Sequence, residues 1–301
     1  MAFTLDKTRQ TGSLELLAKQ LVEGFITGLH KSPYHGFSVE FAEHRLYNEG
    51  QSTRHIDWKV FARTDRLYTK QYEEETNLRC LIVLDCSSSM YYPADTLAKL
   101  KFSIYASSAL AYLLHKQRDA VGLCLFSESI DELTPIKSTA SHLDKLFSLL
   151  ERTIHTTAKQ KKTRVSEVLH EVAEKTHKRS LIIIFSDMFD GGEDEEDVFK
   201  SLQHLKHNKH EVLLFHVSDH ETELDFNFED RPYEFVDLES GTKLKLNPSE
   251  IKGRYTKAQE EFHKRLQYKC NQLKIDFIAA NTQTDYFSVL QSYLIKRSKM
   301  K

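Results

Sequence analysis

From Leu78 onward the chain repeats one pattern, a short run of branched apolar residues followed by a stretch of helical periodicity. The runs read "LRCLIVLD", "AVGLCLFS", "SLIIIFSD", "EVLLFHVS" and "KIDFIAAN", and the helical patterns lie at about 95–117, 139–151, 164–177, 194–207, 249–271 and 284–297. Runs apolar at successive rather than alternate positions belong to strands covered on both faces. Strands alternating with helices imply an open, mostly parallel sheet with crossover helices on both sides. Residues 97–114, "LAKLKFSIYASSALAYLL", are apolar nearly all round, and their small Ala and Ser residues permit close packing against the middle of the sheet. Residues 219–247 interrupt the rhythm and read as an inserted hairpin. The fold expected for 78–301 is therefore doubly wound α/β.

Residues 1–77 have a different texture. Leu14, Leu17, Leu21, Phe25 and Leu29 share one face of a helix. "GFSVEFAEHRLY" and "DRLYTKQYEEE" alternate in part, as strands do, around "STRHIDWKVFART", which suits a short helix or a turn. The expectation is an N-terminal helix and a small β-rich segment packed on the α/β sheet.

A net charge of −2 gives no electrostatic reason to expect nucleic acid or an anionic membrane as partner. The longest apolar runs, Leu81–Leu84 and Leu181–Phe185, are strand-sized, far below the roughly 20 residues that span a bilayer. No signal-peptide pattern opens the sequence. Cys80, Cys86, Cys124 and Cys270 lack C-x-x-C spacing and read as reduced cysteines of a cytoplasmic protein.

In doubly wound folds ligands bind beyond the carboxyl ends of the strands, where strand order reverses. Asp85, Ser87 and Ser89 follow the first sheet strand, Ser186 and Asp187 end "SLIIIFSD", and Thr163 sits where the helix at 164–177 begins. A hard divalent ion takes oxygen ligands, and Mg²⁺ takes six in near-octahedral array at roughly 2.1 Å. Asp85, Ser87, Ser89, Thr163 and Asp187 nearly meet that demand, and a partner's carboxylate supplies the missing ligand. Ser166 is the alternative hydroxyl to Thr163.

The D-x-S-x-S run, a later loop Thr and an Asp after an apolar strand resemble the metal-ion-dependent adhesion site of von Willebrand factor A domains, a Rossmann-like fold. The upstream "FAEHRLYNEGQSTRHIDWKVFARTDRLYTKQYEEE" is similar to the signature of the bacterial domain of unknown function 58 family. Arg45, Tyr47, Gly50, Arg54, Ile56, Asp57, Trp58, Ala62 and Arg63 carry the match, with Glu73 and Glu74 following. Gln51 stands where relatives often have Asp, and Lys161 and Lys162 stand where they tend to have Gly before the threonine. The resemblance implies a weakly bound Mg²⁺ or Mn²⁺ and a role beside AAA+ ATPases of the MoxR type in complex assembly or maturation.

The expected function is a non-enzymatic, metal-dependent protein-interaction module. The alternatives are a metal-free scaffold or an Asp-dependent phosphatase, and Ser87 stands where a phosphatase of that kind needs a second Asp as proton donor. No nucleotide-binding, nucleophile-elbow or zinc-protease motif occurs in the sequence. The acidic run "DGGEDEEDVF" reads as a solvated first helical turn. His204, His207 and His210 read as surface residues, Trp58 as a buried wedge, and Asp57 as paired with an arginine.

Overall fold

The apolar runs form the centre of the molecule because each pairs with another of its kind. The computed structural model describes residues 13–29, 44–46, 58–70, 78–156, 164–189, 195–238, 241–283 and 287–299. In chain order its first elements are α1 (Leu14–Leu29), β1 (His44–Leu46), α2 (Trp58–Thr64) and β2 (Tyr68–Lys70). Next come β3 (Arg79–Asp85), α3 (Ala98–Lys116), β4 (Ala120–Phe126), β5 (Ile130–Leu133), α4 (Ala140–His155) and α5 (Val165–Lys175). The chain continues through β6 (Leu181–Ser186), α6 (Glu195–His207), β7 (Glu211–Ser218), β8 (Tyr233–Val236) and β9 (Lys243–Leu246). It closes with α7 (Pro248–Gln272), β10 (Asp276–Asn281) and α8 (Phe287–Lys299). Two compact units result, residues 1–26 with 78–301, and residues 27–77.

The larger unit is built on a six-stranded sheet of order β10-β7-β6-β3-β4-β5. All its pairs are parallel except β4 with β5. Val83, in the middle of β3, pairs with Cys124 on one side and Ile184 on the other. Leu81, Val83, Ile182, Ile184, Val212 and Leu214 meet α5, α6 and the end of α7 in one core. α3 packs on β3, β4 and β7 and buries Phe102, Ile104, Ala106, Ala109 and Leu110. Its small residues let it lie close to the strands, as its sequence predicts. The N-terminal end of α1 is tied to α4, where the Leu14 amide donates to Glu151 Oε1 at 2.8 Å.

The chain leaves β3 through α3 toward β4, and leaves β6 through α6 toward β7, in opposite directions across the sheet. The carboxyl ends of β3 and β6 therefore flank the switch point. The interruption between β7 and α7 begins as a π-helical turn, His220–Leu224, and continues into the antiparallel pair β8–β9. The edge strand β5 is absent from the sequence reading. It is four residues long, carries two acids and alternates half-buried and exposed, so its signal is weak.

In the unit of residues 27–77, β1 pairs antiparallel with β2, Arg45 opposite Thr69. Trp58 is not the buried wedge expected. It is 62 % exposed at the first residue of α2, its ring edge-on to Phe61 at 6.1 Å. Arg54 and Asp57 lie outside the described residues. His210 is likewise not a surface residue. It is buried at the turn into β7, where its Nδ1 accepts from the Ser180 amide at 3.3 Å. Residues 190–194 of the acidic run lie outside the described residues, and Glu195 pairs with Arg265 of α7 at 2.8 Å. No described helix is long and apolar enough to cross a membrane.

Candidate metal site

β3 delivers Asp85 to the switch point with its side chain fully buried. Its Oδ1 accepts from the Ser87 amide at 2.9 Å and its Oδ2 from the Ser186 hydroxyl at 2.7 Å. Ser87 is extended and precedes a 3₁₀ turn, Ser88–Tyr91, which folds Ser89 back beside it. The two hydroxyl oxygens, Ser87 Oγ and Ser89 Oγ, are 3.0 Å apart.

The second strand end is shaped by a left-handed residue, Met188, at φ 53°. A buried Met in that region carries strain that the surroundings must hold. They do so through two bonds, Met188 amide to Ser186 Oγ at 2.8 Å and Phe189 amide to Asp187 Oδ1 at 3.1 Å. The turn presents Asp187 to the same space as Asp85 and beside Ser89. Behind it, His216 Nε2 donates to the Asp187 carbonyl at 3.0 Å. That bond fixes the proton on Nε2, because a carbonyl only accepts.

Lys99 is 1 % exposed, and its ammonium donates to Asp187 Oδ2 at 3.0 Å and to Glu223 Oε1 at 2.6 Å. Glu223 comes from the π-turn, where its Oε2 also accepts from the Asp219 amide at 2.8 Å. Burial alone raises a carboxyl's pKa, and the environments of the two aspartates then diverge. Asp85 is pushed up to about 7, first by burial and then by the charge of Asp187, against the bonds from Ser186 and Ser87. Asp187 is also penalised by burial, but the ammonium of Lys99 outweighs it and holds the carboxyl below its usual range. Burial works against the Lys99 charge too, and Asp187 with Glu223 overcomes it and raises the ammonium's pKa.

The family comparison bears on this site. Residues 43–265 match the family described as "Protein of unknown function DUF58". The chain belongs to that family. It is 27 % identical over 130 residues to the uncharacterized protein Rv1480 of Mycobacterium tuberculosis, a match covering 43 % of this chain and 41 % of that one. The chain thus spans about two-fifths of the length of the curated relatives it matches. Among solved structures it is similar to the conserved hypothetical protein BatB of Bacteroides thetaiotaomicron, at TM-score 0.46 and 16 % identity, over 74 % of this chain and 98 % of that one. It is also similar to a von Willebrand factor type A protein of Catenulispora acidiphila, at TM-score 0.37 and 15 % identity, over 50 % of this chain and 34 % of that one. At these scores neither likeness adds to what the sheet order itself shows.

Within this DUF58 chain the structure gathers Asp85, Ser87, Ser89 and Asp187 at one point. Thr163 lies outside the described residues, and its alternative, Ser166, is buried in the first turn of α5. Adjacent ligands of an octahedral Mg²⁺ are about 3 Å apart when each lies roughly 2.1 Å from the ion, so the serine pair has the required spacing. Asp187 and Glu223 share one ammonium, Lys99, so one negative charge is left over there, and Asp85 adds a second as it ionises, for a divalent ion to balance. These donors fit a hard cation. Among the described residues no three His, Cys, Asp or Glu side chains cluster as metal ligands.

Lys99 and Glu223 were missed by the sequence reading. Lys99 did leave a trace, because it lies three and four positions before the buried Phe102 and Ser103 on α3. A charge on the buried face of a helix requires a partner. Glu223 has no comparable signal, since it meets Lys99 across 124 positions of sequence.

Proposed function

We propose that the protein is a non-enzymatic interaction module that captures a partner's carboxylate through a divalent ion, Mg²⁺ or Mn²⁺. The observation that carries this reading is the serine pair, 3.0 Å apart between the two buried aspartates. Ser87 and Ser89 would hold the ion directly, with Asp85, Asp187 and a hydroxyl at Thr163 or Ser166 completing the set. When bound, the ion supplies an open position for a carboxylate oxygen. The non-enzymatic reading rests on Ser87, the position at which an Asp-dependent phosphatase needs a second Asp as proton donor. The partner we propose is an AAA+ ATPase of the MoxR type or its client, with the module acting as adaptor in assembly or maturation. The four free cysteines suit the reducing cytoplasm.

Lys99 favours a second reading, a metal-free scaffold, because its ammonium already neutralises Asp187. Titration of Mn²⁺, followed by loss of the free-ion paramagnetic resonance signal, separates the two. The metal reading expects one saturable site in the wild type and at least tenfold weaker binding in Ser87→Ala. Absence of binding at millimolar Mn²⁺ in both proteins establishes the scaffold instead.

A further inference from the structure

We propose that the captured carboxylate arrives on a protein segment whose neighbouring side chain is aromatic, and that the cleft beside Ser89 and Asp187 is the socket for that ring. This rests on the metal reading above and extends it to the partner's sequence. The cleft has a volume of about 640 Å³, and its lining includes Ser89, Asp187, Tyr92, Phe226, Phe235 and Tyr255. Two of the proposed metal ligands therefore line it, so a carboxylate held on the ion would lie beside the cleft. The volume lies within the range of sites that enclose a ligand of several rings, and holds an aromatic side chain with its flanking backbone.

The cleft is already an aromatic surface. Phe226 lies 4.5 Å from Tyr255 and stacks at 5.8 Å on Phe235, ring centre to ring centre, so the loop after the π-turn, the hairpin and α7 each supply a wall. Asp187 and Glu223, which line it, are already paired. Asp187 accepts from Lys99 and the Phe189 amide, and Glu223 from Lys99 and the Asp219 amide. A second carboxylate brought into the cleft would lose its water beside an ammonium already shared by two carboxylates. An uncharged ring loses little and gains offset or edge-on packing.

The rim argues for a chain segment rather than a small molecule. Phe189, Val236 and Leu244 line the cleft yet are 54 %, 46 % and 59 % exposed. Apolar side chains left bare around one opening mark a surface that another molecule covers. A second cavity of about 340 Å³ shares Phe189, Gln259 and Phe262 with the first. A segment crossing Phe189 covers both, whereas a small molecule in the first leaves the second open.

The test is a displayed peptide library with a fixed central glutamate between randomised positions, selected on the full-length protein in Mg²⁺. The expected result is enrichment of Phe, Tyr or Trp beside the glutamate. Fluorescence polarisation then compares an enriched peptide with its aromatic-to-alanine version, and at least a tenfold loss is expected. Leu244→Ser, at an exposed position that the fold does not require, should abolish that difference, with the variant's fold verified by circular dichroism. Mg²⁺-dependent binding without aromatic preference overturns the socket and leaves the metal reading standing. Aromatic-dependent binding that survives a chelator supports the socket and overturns the metal reading. A library that yields no binder overturns the socket, and the Mn²⁺ titration above then judges the metal reading by itself.

Discussion

Lys99 sets the charge balance of the site, and its replacement exposes what it contributes. Truncating one partner of a buried ion pair costs about 3–5 kcal/mol, because the partner charge stays buried and uncompensated. Lys99→Met retains the length and removes the charge, leaving Asp187 and Glu223 facing each other. The expected outcome is a loss of that order in the unfolding free energy measured in urea. Asp85 gives a pH signature. Its pKa of about 7 stands above the roughly 4 of an unfolded aspartate, so the folded state binds more protons between those values. The stability that Asp85 contributes is complete below about pH 4 and is lost as pH rises through about 7. His216 works in the opposite direction. Burial, then the neighbouring His263, lowers it to about 4, so its contribution is present above about 6.5 and lost as pH falls. Comparing wild type with Asp85→Asn cancels the histidine. The variant should gain on the wild type by on the order of 3 kcal/mol between pH 4 and 7, and saturating Mg²⁺ should shrink the difference. A constant difference across that range would show that Asp85 titrates normally.

The elements differ in how much of themselves they show in sequence. β3, β4, β6, β7 and β10 were legible almost to the residue, because a continuous branched run between helical stretches has few other uses in a soluble chain. β8 and β9 are short and mostly exposed, so the segment holding them could be read as an inserted hairpin but its strand ends could not. The same contrast holds in the site. Asp85, Ser87 and Ser89 are one local motif, whereas Lys99 and Glu223 reach it from α3 and the π-turn, and no local pattern encodes such a meeting. Gly122 is another long-range constraint hidden in a legible element. A Cβ placed there would meet Ile136 Cγ1 at 2.9 Å and the Pro135 carbonyl at 3.3 Å. Val121 bridges to Lys137 beside it, so the backbone after β5 cannot retreat without losing that pairing. Overpacking of this kind costs about 1–3 kcal/mol. Gly122→Ala should lower the unfolding free energy measured in urea by that amount, and an unchanged midpoint and slope would mean that the 134–137 segment yields freely.

At the scale of the whole molecule, the site is assembled from separated parts of the α/β unit that meet at the switch point, and this couples partner, ion and fold. Two carboxylates and neutral hydroxyls, with the Lys99 ammonium close by, hold a divalent ion weakly, in about the micromolar to millimolar range. At ten times its dissociation constant such an ion stabilises the folded chain by about 1.4 kcal/mol, a rise in melting temperature of about 2–4 °C for a unit of this size. An acidic peptide that completes the coordination shell adds a charge the protein lacks, so it should tighten the ion's binding well beyond what Asp85 and Asp187 achieve alone. The coupling is reciprocal by thermodynamic necessity. The factor by which Mg²⁺ raises the peptide's affinity must equal the factor by which the peptide raises the affinity for Mg²⁺. Two calorimetric series, peptide titrated at fixed Mg²⁺ and Mg²⁺ titrated at fixed peptide, measure both factors, with about tenfold or more expected in each. Equal factors near one would mean that peptide and ion occupy the protein independently. The carboxylate would then be held elsewhere, with the exposed rim around Phe189 and Leu244 left to bind the peptide through its apolar residues alone.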